Sequence, residues 1–128
     1  MDFPGDLQYT REHQWVRDLG DGTLRLGLTS YAQRALGEVV FVNLPTVGTA
    51  LRLSESLGEV ESTSGVIDVY APVVGRVAAR NQALQATPEL VNSDPYGEGW
   101  LVEITREAGE VSAELLTARQ YAELVGSS

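Results

Sequence analysis

The chain has 128 residues, of which 43% are apolar and 21% are charged, which is typical of one globular domain. Eighteen acidic residues against nine basic ones give a net charge of -9, which disfavours nucleic acid and anionic membranes and favours protein partners with basic faces. The absence of cysteine excludes disulfides and thiolate sites, and neither a membrane-spanning run nor a targeting signal is visible, so we expect a cytoplasmic protein.

The first predicted elements are a β-hairpin and a short helix. Two strand-like runs flank the Gly- and Asp-rich segment 18–22, which is typical of a hairpin loop. Ser30 and Gln33 then form the S-x-x-Q pattern of a capping box, and Gly37 supplies a helix stop. The sequence therefore predicts a helix of about two turns between them.

A segment with a Pro-x-Val-Gly turn occurs twice in the chain. Residues 42–48 and residues 69–75 both begin with valine and continue into Pro-x-Val-Gly. Two copies of a strand, this turn and a further strand predict two similar β-units that bury their apolar faces against each other. This pattern favours a mostly β sandwich or barrel.

The segment 58–75, GEVESTSGVIDVYAPVVG, predicts a second hairpin, because two strand-like runs meet at a turn of Ser, Thr, Ser and Gly. The glutamates of its first strand alternate, as on a solvent-facing strand.

The C-terminal segment 112–125 predicts helical structure. Leu115, Ala118, Ala122 and Val125 recur at helical spacing. A second capping pattern at Thr117 would divide the segment into two helices.

Four motifs resemble those of the glycine cleavage system H proteins. Residues 9–15 are similar to the family's Y-x-x-x-H-E-W opening, residues 28–33 to I-T-D-x-A-Q, and residues 88–100 to P-x-L-V-N-x-D-P-Y-G-x-G-W. The segment 58–75 resembles the lipoyl hairpin of that family. The resemblance covers nearly the whole chain and implies a single domain over residues 1–128 with a mostly β, barrel-sandwich hybrid fold, a short helix in its N-terminal half and C-terminal helices.

The resemblance also implies a function and its partners. Family members carry a lipoyl arm on a hairpin lysine and move an aminomethyl cargo among a pyridoxal-phosphate glycine decarboxylase, a folate-dependent aminomethyltransferase and a lipoamide dehydrogenase. We expect this chain to be a non-catalytic protein of glycine catabolism that binds protein partners of this kind. We also expect it to be a monomer.

In this chain Ser64 stands where the resemblance places the lipoyl lysine. The lipoyl group is attached through an amide, which requires an amine, and the chain contains no lysine at all. Only the N-terminal amine remains, so we expect neither a lipoyl group nor any other cofactor. The hairpin residues around this position are Glu61, Ser62, Thr63, Gly65 and Asp68.

The resemblance places the cleft for the cargo at Glu12, Gln14 and Ser30, and two of these positions depart from the family's pattern. Gln14 replaces a glutamate whose charge would suit an aminomethyl cation, and Ser30 replaces an aspartate. Asp68 keeps its charge. These changes preserve the shape of the side chains but remove negative charge.

Three interpretations of Ser64 remain open. The first is an H-like protein without an arm, which acts through its surface as an adapter or regulator of a glycine-handling or lipoate-using partner. The second is a repurposed carrier with cargo esterified to Ser64 in a biosynthetic pathway. The third is a deliberate Lys-to-Ser change in a working H protein, against which Gln14, Ser30 and the lysine-free composition argue.

An enzyme is not predicted. His13 is the only histidine, and no pattern supplies a nucleophile for it to activate or a second histidine for a metal site, so we interpret it as structural. No Gly-rich phosphate loop precedes a helix.

Overall fold

A computed structural model describes residues 2–126 of the chain. No helix in this range is long and apolar enough to cross a bilayer. The strands are β1 Gln8–Tyr9, β2 Gln14–Gly20, β3 Thr23–Leu28, β4 Val39–Asn43, β5 Ala50–Leu51, β6 Ser56–Ser62, β7 Val66–Tyr70, β8 Gly75–Arg80 and β9 Val102–Arg106. The helices are α1 Ser30–Leu36, α2 Ala83–Ala86, α3 Leu90–Ser93 and α4 Ala118–Gly126.

The strands form two antiparallel sheets that share one apolar core. The six-stranded sheet has the order β1-β2-β3-β9-β8-β5, and the three-stranded sheet has the order β4-β6-β7. Val42, Val60 and Val69 of the small sheet belong to the same buried cluster as Leu26 and Ile104 of the large one. Burial of these side chains between the sheets supplies the main driving force for folding. The predicted mostly β, barrel-sandwich hybrid fold is confirmed.

The predicted first hairpin is confirmed as β2 and β3. Asp21 and Gly22 connect the strands with φ values of 53° and 76°. Two successive residues with positive φ are what a type I′ turn requires, and Asp-Gly is a favoured pair for it.

The two Pro-x-Val-Gly segments occupy related places in the fold. One connects β4 to β5 and the other connects β7 to β8, so each leads from the small sheet into the large one. β4 and β7 lie on either side of β6, while β5 pairs directly with β8. The prediction of two similar β-units is confirmed, with both units contributing to both sheets.

Helix α1 exists, but its predicted cap is wrong by one residue. The N-cap is Thr29, whose hydroxyl accepts a hydrogen bond from the Ala32 N–H at 3.1 Å. Ser30 is the first helical residue, and the side chain of Gln33 donates to its carbonyl. Gly37 ends the helix at a φ of 92°, as the sequence predicted.

The C-terminal helical prediction is correct only in part. Helix α4 begins at Ala118 rather than at residue 112, and it is the one helix of this segment. Residues before it are extended because Leu116 exchanges two backbone hydrogen bonds with Tyr9, at 2.9 and 2.7 Å. The capping pattern does not divide a helix but begins one, since Thr117 and Gln120 each accept from the other's backbone N–H.

Candidate functional site

The turn between β6 and β7 is organised by the hydroxyl of Ser62. This buried oxygen accepts hydrogen bonds from the N–H groups of Ser64 and Gly65, at 3.0 and 3.2 Å, and is 2.7 Å from the carbonyl oxygen of Leu36, to which it donates. The N–H of Thr63 donates to the carbonyl of Glu38 at 3.0 Å. A serine at this position therefore both closes the turn and anchors it to the end of α1.

Ser64 lies exposed at the tip of this turn, as the sequence predicted. Its hydroxyl makes no hydrogen bond within residues 2–126 and lies beside Gly37, where an added Cβ would be 3.4 Å from it. Thr63 and Gly65 are exposed as well. The tip thus presents hydroxyl groups to solvent and no amine.

A groove of about 640 Å³ runs between β7 and α1 and ends at this tip. Four residues of the predicted site line it, namely Glu12, Ser64, Gly65 and Asp68. The remaining lining is mostly apolar and aromatic and comprises His13, Tyr31, Ala32, Ala35, Leu36, Val66, Ile67 and Tyr70. The groove is therefore an apolar channel with one carboxylate from the opening motif and one from the hairpin.

Of the three positions assigned to a cargo cleft, only Glu12 lines this groove. Gln14 is 1% exposed, and both polar atoms of its amide bond to the backbone of Tyr70: Nε2 donates to the carbonyl and Oε1 accepts from the N–H, both at 2.8 Å. Ser30 lies against the Tyr96 hydroxyl, to which its backbone N–H donates at 2.9 Å. Gln14 and Ser30 therefore act in the scaffold around the groove rather than in its lining.

His13 forms one end of the groove and is held by its neighbours. Its backbone has a φ of 67°, its Nδ1 is 2.8 Å from the Tyr121 hydroxyl, and its ring packs against Tyr31 at 4.8 Å. Burial lowers the pKa of His13 and raises the pKa of Tyr121 to about 12. A neutral imidazole that accepts at Nδ1 fits both shifts, and the structural interpretation of this histidine agrees with these contacts.

The α1 wall of the groove is the part that sequence reasoning missed. All four apolar residues Tyr31, Ala32, Ala35 and Leu36 line the groove, but Ala32 and Leu36 also belong to the core cluster, whereas Tyr31 and Ala35 are less buried. These two pairs are each spaced by four residues, so the helix has two adjacent apolar faces. That spacing is visible in the sequence and could have indicated a second apolar face on this helix.

The outer face of the small sheet is acidic. Glu59 lies directly opposite Asp68 in the β6–β7 ladder, and Glu61 lies two residue pairs further on, opposite Val66. All three carboxylates are exposed, and within the described part of the chain none forms an ion pair. Asp68 accepts a hydrogen bond from the Ser56 hydroxyl at 2.8 Å. No group of metal-binding side chains occurs in residues 2–126.

Comparison with known proteins identifies the family. Residues 7–128 match the family described as Glycine cleavage H-protein. The chain is 57% identical over 112 residues to a glycine cleavage system H protein of Mycobacterium bovis, covering 88% of this chain and 84% of that protein. It is 58% identical over 123 residues to one of Mycolicibacterium vanbaalenii, covering 94% of each.

The fold comparison leads to the same family. The crystal structure of a glycine cleavage system H protein from Mycobacterium marinum superposes with a TM-score of 0.89 at 43% identity, covering 97% of this chain and 99% of that one. Proteins of this family are lipoyl carriers without catalytic activity of their own. With its sequence, its sheets and its hairpin in agreement, the chain belongs to the glycine cleavage H-protein family.

Proposed function

We propose that this chain is an H protein without a lipoyl group, which acts as an adapter or regulator of a glycine-handling or lipoate-using partner. The observation that carries the proposal is Ser64 at the exposed tip of the β6–β7 hairpin. A lipoyl amide needs a primary amine, and no lysine is present at the tip or anywhere else in the chain. The residues present therefore do not fit an amide-linked lipoyl group.

The partners are proteins of the glycine cleavage system, such as a glycine decarboxylase-like or an aminomethyltransferase-like enzyme. The names of the relatives support this assignment, because they are H proteins of that system. The net charge of -9 and the exposed carboxylates of Glu59, Glu61 and Asp68, which form no ion pair within residues 2–126, favour a partner with basic residues. The protein works in the cytoplasm as a monomer, with residues 1–128 as one domain.

One observation favours a second candidate function. The Ser64 hydroxyl is exposed and makes no hydrogen bond within residues 2–126, so it is accessible to an enzyme that esterifies it. In that case the protein is a carrier that holds a different cargo through an ester. A separate transferase would attach this cargo, since a serine hydroxyl reacts only with an activated acyl or phosphoryl donor.

Lipoylation in vitro tests the first proposal. The protein and the variant Ser64→Lys are each incubated with a lipoate ligase, lipoate and ATP, and the intact masses are measured. We expect no change for the unaltered chain and the addition of one lipoyl group to the variant, because the variant restores an amine to a hairpin of the family's pattern. Lipoylation of the unaltered chain would contradict the proposal.

The adapter role is tested separately by binding. The glycine decarboxylase and the aminomethyltransferase of the same organism are titrated with the protein in a calorimeter. We expect saturable binding to at least one of them that weakens when salt is raised, since an acidic face contributes to recognition. The absence of binding to both enzymes would contradict the adapter role and leave the lipoylation result unaffected.

A further inference from the structure

β7 is an edge strand whose backbone hydrogen-bonding groups alternate between two directions. In an antiparallel pair, every second residue directs its N–H and C=O to the neighbouring strand, and the residues between direct theirs away. The carbonyl of Gly65 accepts from Ser62 on the β6 side. The backbone of Tyr70 instead bonds to Gln14 on the far side. The backbone N–H and C=O groups of Val66 and Asp68 point in the same direction as those of Tyr70, away from β6.

The amide of Gln14 already occupies the last position of this edge. Its Nε2 and Oε1 atoms make the two hydrogen bonds with Tyr70 that the N–H and C=O of one residue of an added antiparallel strand would make. Within residues 2–126, no group on the side away from β6 forms a hydrogen bond with the backbone of Val66 or Asp68. Two positions of the edge therefore remain open next to one that is closed by a side chain.

The open edge borders the groove, which has the composition that an added strand would need. Val66 and Asp68 line the groove from the strand side, and Ala35 and Leu36 line it from the helix side. Side chains of an added strand would alternate, so that one set meets the apolar α1 wall and Ile67, and the other set joins the outer face of the sheet.

The outer face determines the charge of that second set. The side chains of Glu59 and Asp68 lie next to each other on this face, and a side chain of the added strand would lie on the other side of Asp68. Because these exposed carboxylates lie opposite each other without an ion pair in the described chain, a basic side chain beside them relieves like-charge repulsion. Glu12 places a further carboxylate in the groove lining.

We propose that this groove binds an extended segment of a partner protein, which adds a strand to the β7 edge through Val66 and Asp68. The segment alternates apolar residues, directed to α1, with lysine or arginine, directed to the acidic outer face. Strand addition obtains affinity from the main chain and specificity from alternate side chains. This inference rests on the proposed adapter function and locates the surface through which it acts.

The test uses ¹⁵N-labelled protein and a synthetic peptide of alternating valine and arginine, acetylated and amidated at its ends. We expect saturable shifts of the Val66 and Asp68 amide signals and protection of these amides from hydrogen exchange. A peptide with N-methyl groups on the bonding edge should bind about tenfold more weakly, because it loses the main-chain donors. A peptide of alternating valine and glutamate should not bind.

Two matched variants show whether the groove is the site. Ala35→Trp fills the groove from an exposed position of α1, whereas Ala78→Trp makes the same change at an exposed position of β8 outside the groove. We expect the first to weaken peptide binding at least tenfold and the second to leave it unchanged, with dispersed spectra for both. Equal binding by both variants, or by the N-methylated peptide, would overturn the inference.

The failure of this inference is distinct from failure of the adapter role. If the partner enzymes bind but Ala35→Trp binds them as well as the unaltered protein does, the adapter role stands and strand addition at β7 is excluded. If neither enzyme binds while the peptide does, the edge is confirmed as a binding site and the named partners are wrong.

Discussion

The polar groups at the two ends of β7 differ in whether the protein itself satisfies their hydrogen bonds. At the Tyr70 end, the backbone donor and acceptor are both satisfied by the amide of Gln14, which is 1% exposed. At the other end, Ser64 is exposed and its hydroxyl has no partner within residues 2–126. The polar groups at the Tyr70 end are therefore satisfied within the fold, while the hydroxyl at the tip is open to solvent. A change at the first end should cost stability, and a change at the second should alter chemistry alone.

The largest expected effect is that of Gln14→Glu. A carboxylate cannot donate to the Tyr70 carbonyl, so a charge is buried against an acceptor at a cost of about 3 kcal/mol in the free energy of unfolding at pH 8. Gln8→Glu, which makes the same change at an exposed site, should cost less than about 0.5 kcal/mol. Urea denaturation of both variants measures the difference, and equal losses would contradict the contrast drawn between the ends of β7.

The same variant should be sensitive to pH. The protonated carboxyl has a donor for Tyr70, so the folded state raises the pKa of the new side chain above its unfolded value of about 4.3. Below that unfolded value the variant should be close in stability to the parent. Its stability should fall as pH rises through the folded pKa. Denaturation curves between pH 4 and pH 8 would show a pH-independent deficit if this account were wrong.

A smaller loss is expected from Ser62→Ala, which removes the oxygen that organises the tip. The N–H groups of Ser64 and Gly65 lose their acceptor and the Leu36 carbonyl loses a donor, at a cost of about 1–2 kcal/mol because water reaches part of the turn. Ser64→Ala is the matched control and should change stability by less than about 0.5 kcal/mol. Equal thermal stabilities for the two variants would show that the turn does not depend on Ser62.

Acidification should lower the free energy of unfolding through His13, by less than the Ser62→Ala substitution does. Burial lowers its pKa, so the folded state binds its proton less readily than the unfolded state does, whose value is about 6.5. The stability contributed by the neutral ring is present above the unfolded pKa and is lost as pH falls through the folded one. Proton NMR titration should give a value below 6.5 for His13. Tyr121→Phe removes the group facing Nδ1 and should change that titration.

Local patterns in the sequence predicted the local elements well. The Asp-Gly turn of the first hairpin, the repeated Pro-x-Val-Gly segments and the glycine that ends α1 each depend on residues close together in the chain. The cap of α1 was misplaced because both Thr29 and Ser30 are good capping residues, and the contact of Ser30 with Tyr96 is not visible in the sequence.

Long-range pairing accounts for the remaining differences. The segment before α4 has helical periodicity, but its backbone is taken up by β1, where Leu116 pairs with Tyr9. The pairing of Gln14 with Tyr70 joins residues 56 positions apart, and no local pattern indicates it. The resemblance to the family placed Ser64 correctly at the hairpin tip, since that position depends on a turn within one motif.

The most direct test of the central claim is the intact mass of the protein purified from its native host, followed by peptide mapping across residues 58–76. We expect the unmodified mass, because the chain has no lysine and Ser64 offers only a hydroxyl. A lipoyl increment within the mapped segment would contradict the claim. Any other group on Ser64 would show that the protein is a carrier with a different attachment chemistry rather than an adapter.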